Sequence, residues 1–493
     1  MPSRFSPSTA RPDGGRSDFS PRRKFGSLST GMVRLGCLSM AFSPMAALHG
    51  QMVLTDPSKP AEISTDSLAV DAVDNTGNDA QSSRASTADS GLGAAEVASE
   101  VADIATEGAG EVATESLKNS EPEKGGLVFK GAVAGIFDDN IFLLDSEKSD
   151  DIIMMARLGV EFAPVESGDG SFYAAYGATG FKYLDHSDLD GVNHAARLGM
   201  ALDLPSTRLG LAAFYAHLSG GAEGLLGQFS GSGAQRTSAA EREGVQYAQR
   251  DLISASATAS HDLGSKTILT SVLRYQGVFY ESGLRNSQNF YGRLGLGYKA
   301  TERTILGVAG GYGYLDSDNN PTQKYQEALL TLRYEATEKL KLSADGGVEF
   351  RQYDGASSEG DAVNPSFNIE AEYQMRERTV LKLDTGRMVD TSAVSAETSI
   401  ERNYVNLGIE QSLGEKFLFS LNCGYERASY EATGASGVSR DENYWYTRTA
   451  FNYLPNSRTT LGVFYEHRDN DSDGENGRTY VGNQIGIQVA LSF

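Results

Sequence analysis

The chain has 493 residues, 43 Lys and Arg against 65 Asp and Glu, and a formal net charge of -22. This acidic balance speaks against nucleic-acid partners, because a surface that tracks phosphates needs clustered Lys and Arg. No run of about twenty apolar residues is present, so a helical membrane span is not expected, whereas strands that show an apolar residue at every second position need no such run.

The first fifty residues (1–50) read as an export signal. Arg22, Arg23, Lys24 and Arg34 precede the apolar stretch from Cys37 to Phe42 and from Met45 to Leu48, with small residues near Ala47 and Gly50. A positive flank, an apolar core and small residues at a cleavage point make a secretory signal, and Met32 is an alternative start. Arg22-Arg23-Lys24-Phe25 also resembles a twin-arginine signal, a route for folded proteins that does not suit a barrel in transit. Leu35-Gly36-Cys37 resembles a lipoprotein site, but the apolar stretch follows the cysteine instead of preceding it. Of the 2 cysteines, only Cys423 then remains after cleavage, which excludes an internal disulfide.

Residues 51–124 are rich in Ala, Ser, Thr, Asp, Glu and Gly, and almost free of aromatics. Such a segment buries too little apolar surface to offset its backbone entropy, so an acidic disordered tether is expected. Val97, Val101 and Ile104 share one helical face, which predicts a short helix near 94–107 that Gly108 and Gly110 interrupt.

From residue 125 to Phe493 the texture changes. Segments of roughly ten to fourteen residues alternate apolar and polar side chains, the period of a two-faced strand. In one, Leu340, Leu342, Ala344, Val348 and Phe350 oppose Lys341, Ser343, Asp345, Glu349 and Arg351. Turns alternate between short ones, such as Pro205-Ser206 and Gly414-Glu415, and long ones at 220–244, 316–322, 354–364, 391–398 and 469–477. A repeated phrase, Lys266-Thr267-Ile268-Leu269, Arg303-Thr304-Ile305-Leu306, Arg378-Thr379-Val380-Leu381 and Arg458-Thr459-Thr460-Leu461, recurs with each hairpin. The pattern predicts an all-β fold: a closed antiparallel transmembrane β-barrel of about eighteen strands. A soluble propeller is the competing fold, but propellers lack the alternation of short turns and long loops. The chain closes on Ile487, Val489, Leu491 and Phe493 at alternate positions, as an assembly signal for such a barrel would.

The first hairpin carries the phrase Gly131-Ala132-Val133-Ala134-Gly135-Ile136-Phe137-Asp138-Asp139-Asn140-Ile141-Phe142, followed by Lys148-Ser149-Asp150-Asp151-Ile152. This resembles a bacterial outer-membrane β-barrel porin family whose members often sit near exopolysaccharide-export genes. The resemblance implies a channel in the outer membrane, for small polar solutes or for polysaccharide export. Its expected partners are outer-membrane lipid, lipopolysaccharide and the barrel-assembly machinery. A non-conducting surface or adhesion barrel with a plugged lumen is the alternative.

Alternation assigns these charges to the lumen: Arg157, Glu161, Arg197, Arg274, Arg293, Glu327, Arg333, Lys341, Asp345, Glu349, Arg351, Glu370, Glu372, Glu410, Glu426, Arg448 and Glu466. On the lipid face an Arg or Lys would cost about 2–4 kcal/mol near the midplane. The inward charges either brace the wall by cross-strand pairing or select what passes. Asp469, Asp471 and Asp473 copy the first half of a calcium loop, but Tyr480 stands where the bidentate Glu belongs, which leaves a weak calcium candidate and no other cofactor. The 6 His are scattered, and a barrel hydrolase would need Ser, His and Asp side chains converging at the rim; the reading is of a protein that is not an enzyme.

Overall fold

The computed structural model describes residues 126–162, 170–219, 243, 245, 247–281, 283–337, 339–354, 362–474 and 477–493. The signal, the tether and the helix near 94–107 lie outside these residues. Eighteen strands follow one another. They are β1 (Leu127–Asp138), β2 (Asp151–Phe162), β3 (Gly170–Tyr183), β4 (Gly191–Leu204), β5 (Thr207–Leu218) and β6 (Arg250–Asp262). Next come β7 (Thr267–Tyr280), β8 (Ser287–Thr301), β9 (Thr304–Ser317), β10 (Thr322–Thr337), β11 (Leu340–Asp354) and β12 (Ala362–Arg376). The last six are β13 (Thr379–Thr391), β14 (Thr398–Leu413), β15 (Phe417–Ala432), β16 (Arg440–Asn456), β17 (Thr459–Asp473) and β18 (Tyr480–Ser492).

Each strand pairs antiparallel with the next, and β18 returns to β1 with Lys130 opposite Ser492 and Asp138 opposite Gln484. Phe493 and Phe129 exchange two further backbone hydrogen bonds at 2.9 Å. The ring therefore closes on itself, and strand pairing satisfies the backbone groups around the wall without water, except where β12 and β13 part above Asn368 and Gly386. The even strand number puts both ends of the barrel on the side of the short turns, and the longer loops crown the opposite rim.

The outer face is apolar at mid-height. Leu158, Leu198, Leu273, Leu294 and Leu330 are all more than half exposed there. In water such a belt would be a continuous aggregation surface; in a bilayer it is the solvated face. Toward the loop rim the outer face turns aromatic and then polar. The chain's only Trp, Trp445, packs on Tyr425 at 4.4 Å between ring centres. Above it come Arg427 paired with Asp441, and Asp139 held by Asn483. Cys423 lies on the outer face, its thiol 3.6 Å from the Thr447 hydroxyl. That order, apolar belt, aromatic girdle and polar crown, is how a strand crosses from hydrocarbon through the interface to water.

The inner face is identified by reach. Side chains converge on the concave side, so only there do strands that are not neighbours touch. Arg293 of β8 reaches Asp345 of β11 at 2.7 Å. Tyr291 of β8 donates to Glu327 of β10, and Tyr446 of β16 to Asn406 of β14. Two glycines make room for such crossings. A side chain at Gly313 would meet the Tyr325 ring at 1.9 Å, and one at Gly424 would meet Tyr446 at 2.0 Å. Strand-to-strand alternation then fixes the facing of every other residue.

Candidate functional site

The lumen has two storeys, set by how deeply its charges are buried. In the half nearer the short turns, the inward charges are partly solvated. Lys130 pairs with Glu161, Arg333 with Asp345 at 3.0 Å, and Lys382 with Glu410 at 3.2 Å; their side chains keep between 12% and 30% exposure. Lys341, Glu370 and Glu372 are exposed to the interior space. In the half nearer the loops, the inward charges are sealed. Glu349 and Arg351 form a two-pronged pair at 2.9 Å, with exposures of 7% and 3%. Arg402 grips Glu426 the same way, at 2.9 and 2.7 Å. Asp138, Arg468, Glu466 and Arg448 form a chain in which charge alternates, with contacts of 3.0, 3.7 and 3.1 Å. All the lumen candidates named from alternation lie at the inward parity of their strands, but the structure divides them between a wet storey and a packed one.

Two loops close over the packed storey. The first is 139–150, between β1 and β2. The Asp138 carboxylate accepts the Asn140 N–H at 2.9 Å, and the Asn140 side chain holds Leu144 from both sides and the Val481 carbonyl at 3.0 Å. This turns the loop inward, and Leu143 buries against the lumen-facing Tyr444, Tyr446 and Tyr480. Leu143 sits at φ 53°, a left-handed conformation that costs a non-glycine residue about 1–3 kcal/mol and persists because the surrounding packing fixes it. Ile141 joins Ile136, Ile153, Met155, Phe181 and Phe464 in an apolar cluster inside the barrel. The Tyr247 hydroxyl, from the segment before β6, donates to the Ile141 carbonyl. Burial pushes this phenol's pKa well up, so it stays a neutral donor.

The second is 392–397, between β13 and β14. Pairing between β12 and β13 runs only from Asn368–Gly386 down to Arg376–Thr379, whereas β13 and β14 stay paired up to Thr391–Ser399. Pro365 lies in the part of β12 that lacks this partner, and having no N–H it suits a strand edge. The released tip of the β13–β14 hairpin turns across the mouth. Arg387 bridges Glu401 at 2.9 Å and Glu349 at 3.7 Å. Ser392 Oγ and the Ala393 N–H both donate to Glu243, and the Arg285 N–H donates to the Ala393 carbonyl at 3.0 Å. Thr398 N–H reaches Asn320 Oδ1 at 3.3 Å. Glu243 precedes β6 and Arg285 lies between β7 and β8, five or more places round the ring from β13. Segments that far apart on the wall meet only across the opening.

Below these loops, charge is arranged by wall. Arg157, Arg197 and Arg274 come from β2, β4 and β7. Arg197 lies over the Phe214 ring and Arg274 over Tyr291, at 5.5 and 5.8 Å. Arg157 Nη1 and Arg274 Nε are buried and have no hydrogen-bond partner among the described residues. On the opposite side, β12 to β14 carry Glu370, Glu372, Asp384 and Glu410, with Lys382 of β13 among them and Lys341 of β11 beside Glu372.

The weak calcium candidate falls on a strand. Asp469, Asp471 and Asp473 lie within β17, where alternate residues project from one face of an extended chain, and the expected loop 469–477 begins only after Asp473. Among the described residues, no group of three His, Cys, Asp or Glu side chains is placed to hold a metal ion. At the other end of the chain's last strand, Ile487 and Phe493 are 67% and 65% exposed on the outer face, with Val489 and Leu491 in the same row.

Alternation did not single out Glu243, Arg285, Ser392 or Tyr247, because loop residues have no periodicity. Asp138 and Asn140 did carry a signal, in the Asp-Asp-Asn turn of the first hairpin.

No family model matches the chain, and no curated protein matches it. Among solved structures, it is similar to the Acinetobacter baumannii protein OccAB4 at 10% identity and a TM-score of 0.40, over 76% of this chain and 100% of that one. It is similar to the outer membrane protein OpdK of Pseudomonas aeruginosa at 11% identity and a TM-score of 0.38, over 75% and 99% of the two chains. A third is the siderophore receptor PirA of Pseudomonas aeruginosa, at 11% identity and a TM-score of 0.37, over 76% and 81%.

Proposed function

We propose that this barrel is an outer-membrane channel for small polar solutes, narrowed at its outer mouth by loops folded inward. The observation that carries the reading is the two-storey lumen: a solvated lower half with charges of opposite sign on opposite walls, beneath a packed upper half. A field across a water-filled passage orients polar solutes and separates ions by sign. Arg157, Arg197 and Arg274, at the inward parity of their strands, form its anion-attracting side. The exposed row ending at Phe493 is the part that assembly machinery would read before the strand pairs, and the polar crown would meet lipopolysaccharide.

Replacing Arg157, Arg197 and Arg274 together by Ala tests this. The reversal potential in a salt gradient across a planar bilayer is expected to move toward cation selectivity. An unchanged reversal potential in conducting protein would remove these residues from the ion path.

The packed mouth also favours a second reading, a plugged surface barrel that conducts nothing. The two differ in a single observable, current through the folded wild-type protein.

A further inference from the structure

At the loop rim, on the face of β2 that Asp138 and Ile153 share, three side chains from the start of β2 and its flanking loops meet. Ser149 Oγ lies 3.2 Å from His186 Nε2. His186 Nδ1 lies 2.8 Å from Asp151 Oδ2. The Asp151 side chain is fully buried, while His186 keeps 27% exposure and Ser149 is partly exposed. Asp151 sits at the first position of β2, Ser149 two residues before it, and His186 in the turn between β3 and β4.

The protonation pattern follows from donor counting. A carboxylate only accepts, so His186 Nδ1 carries the hydrogen and Nε2 is left as an acceptor for the Ser149 hydroxyl. Asp151 is itself locked. Its Oδ1 accepts N–H bonds from Ile152 and Leu184 at 2.6 and 3.0 Å, and its Oδ2 accepts the His186 N–H at 3.0 Å. The Phe142 ring meets the imidazole edge-on at 5.3 Å, and the Ser149 carbonyl holds the Ile141 N–H at 2.9 Å, so both loops are pinned. A nucleophile next to a base, and the base oriented by a buried carboxylate, is the arrangement that activates a serine.

We infer that Ser149, His186 and Asp151 form a serine-hydrolase site at the rim, acting on carboxylic esters. Ser149 Oγ attacks the ester carbonyl carbon as its proton passes to His186 Nε2. The tetrahedral intermediate expels the alcohol, which takes that proton from Nε2. Water then attacks the acyl-serine, gives a proton to Nε2, and releases the carboxylic acid as the proton returns to Ser149 Oγ. The net reaction is ester plus water to acid plus alcohol, with His186 as general base and acid and Asp151 as a positioning residue.

The test uses purified full-length protein in detergent micelles, with folding verified by heat-modifiable migration. A fluorophosphonate probe is expected to label Ser149, located by peptide mass mapping, and p-nitrophenyl butyrate to be hydrolysed. Ser149→Ala abolishes both, and His186→Gln, which leaves the backbone bonds to Asp151 in place, slows labelling more than about a hundredfold. Asp151→Asn is expected to lower kcat with KM unchanged, which a purely structural loss would not do. Folded wild-type protein whose Ser149 is labelled no faster than after heat unfolding overturns the proposal, as does equal labelling of His186→Gln. Neither result depends on whether the barrel conducts.

Discussion

Removing the clasp across the mouth, in the variant Glu243→Ala with Arg285→Ala, is expected to raise single-channel conductance several-fold. Glu243 accepts from Ser392 Oγ and the Ala393 N–H, and Arg285 donates from its backbone to Ala393 and from its guanidinium to the Val394 carbonyl. These bonds tie the tip of the β13–β14 hairpin to the far side of the opening. The tip carries its own strain, since Glu397 sits at φ 50° in the left-handed region. Hydrogen bonds to charged groups contribute about 1.5–3 kcal/mol each, and removing both side chains leaves the hairpin tip held on that side by the Arg285 backbone bond alone, which loosens it across the passage. Deleting 393–396 should have the same direction of effect. Unchanged conductance in both variants would show that the hairpin does not limit the current.

The second large effect concerns the wall. Leu158 and Leu330 project outward from β2 and β10 and are 74% and 69% exposed. Arginine at either position puts a cation on the lipid face, at about 2–4 kcal/mol near the midplane. The two positions are on different sides of the ring and share no neighbour, so their costs add. The double variant Leu158→Arg with Leu330→Arg is expected to be lost from the outer-membrane fraction and to lack heat-modifiable migration. Ser343→Arg, one residue from the lipid-facing Leu342 and opposite Glu370 on the inner face, should insert normally. Normal insertion of the double variant, or failure of Ser343→Arg, would invert the facing of the whole wall.

The strand count and the alternation of short turns with long loops were legible in the sequence, the first because period-2 alternation repeats at every strand and the second because turn residues punctuate it. Four features were not legible. Ile153 and Met155 are apolar yet point inward, since a loop from the first hairpin covers them and makes a core where alternation alone expects water. Likewise Arg387 and Glu401 lie at outward parity, but the hairpin that carries them has left the wall, so they pack toward Glu349. Pro365 was the local sign of that break. The partners that close the mouth, Glu243 and Ser392, stand 149 residues apart, and no spacing rule joins them. The rim triad was hidden for the same reason. Ser149 and Asp151 are neighbours in sequence, but His186 reaches them only because β2 and β3 pair and bring their loops together.

Single-channel recording of the purified wild-type protein in a planar bilayer, alongside Glu243→Ala with Arg285→Ala, tests the central claim most directly. A channel narrowed at its mouth gives small but discrete current steps in the wild type and larger steps in the variant. Folded, heat-modifiable protein that gives no steps in either form would contradict the account and leave a barrel that is solid throughout.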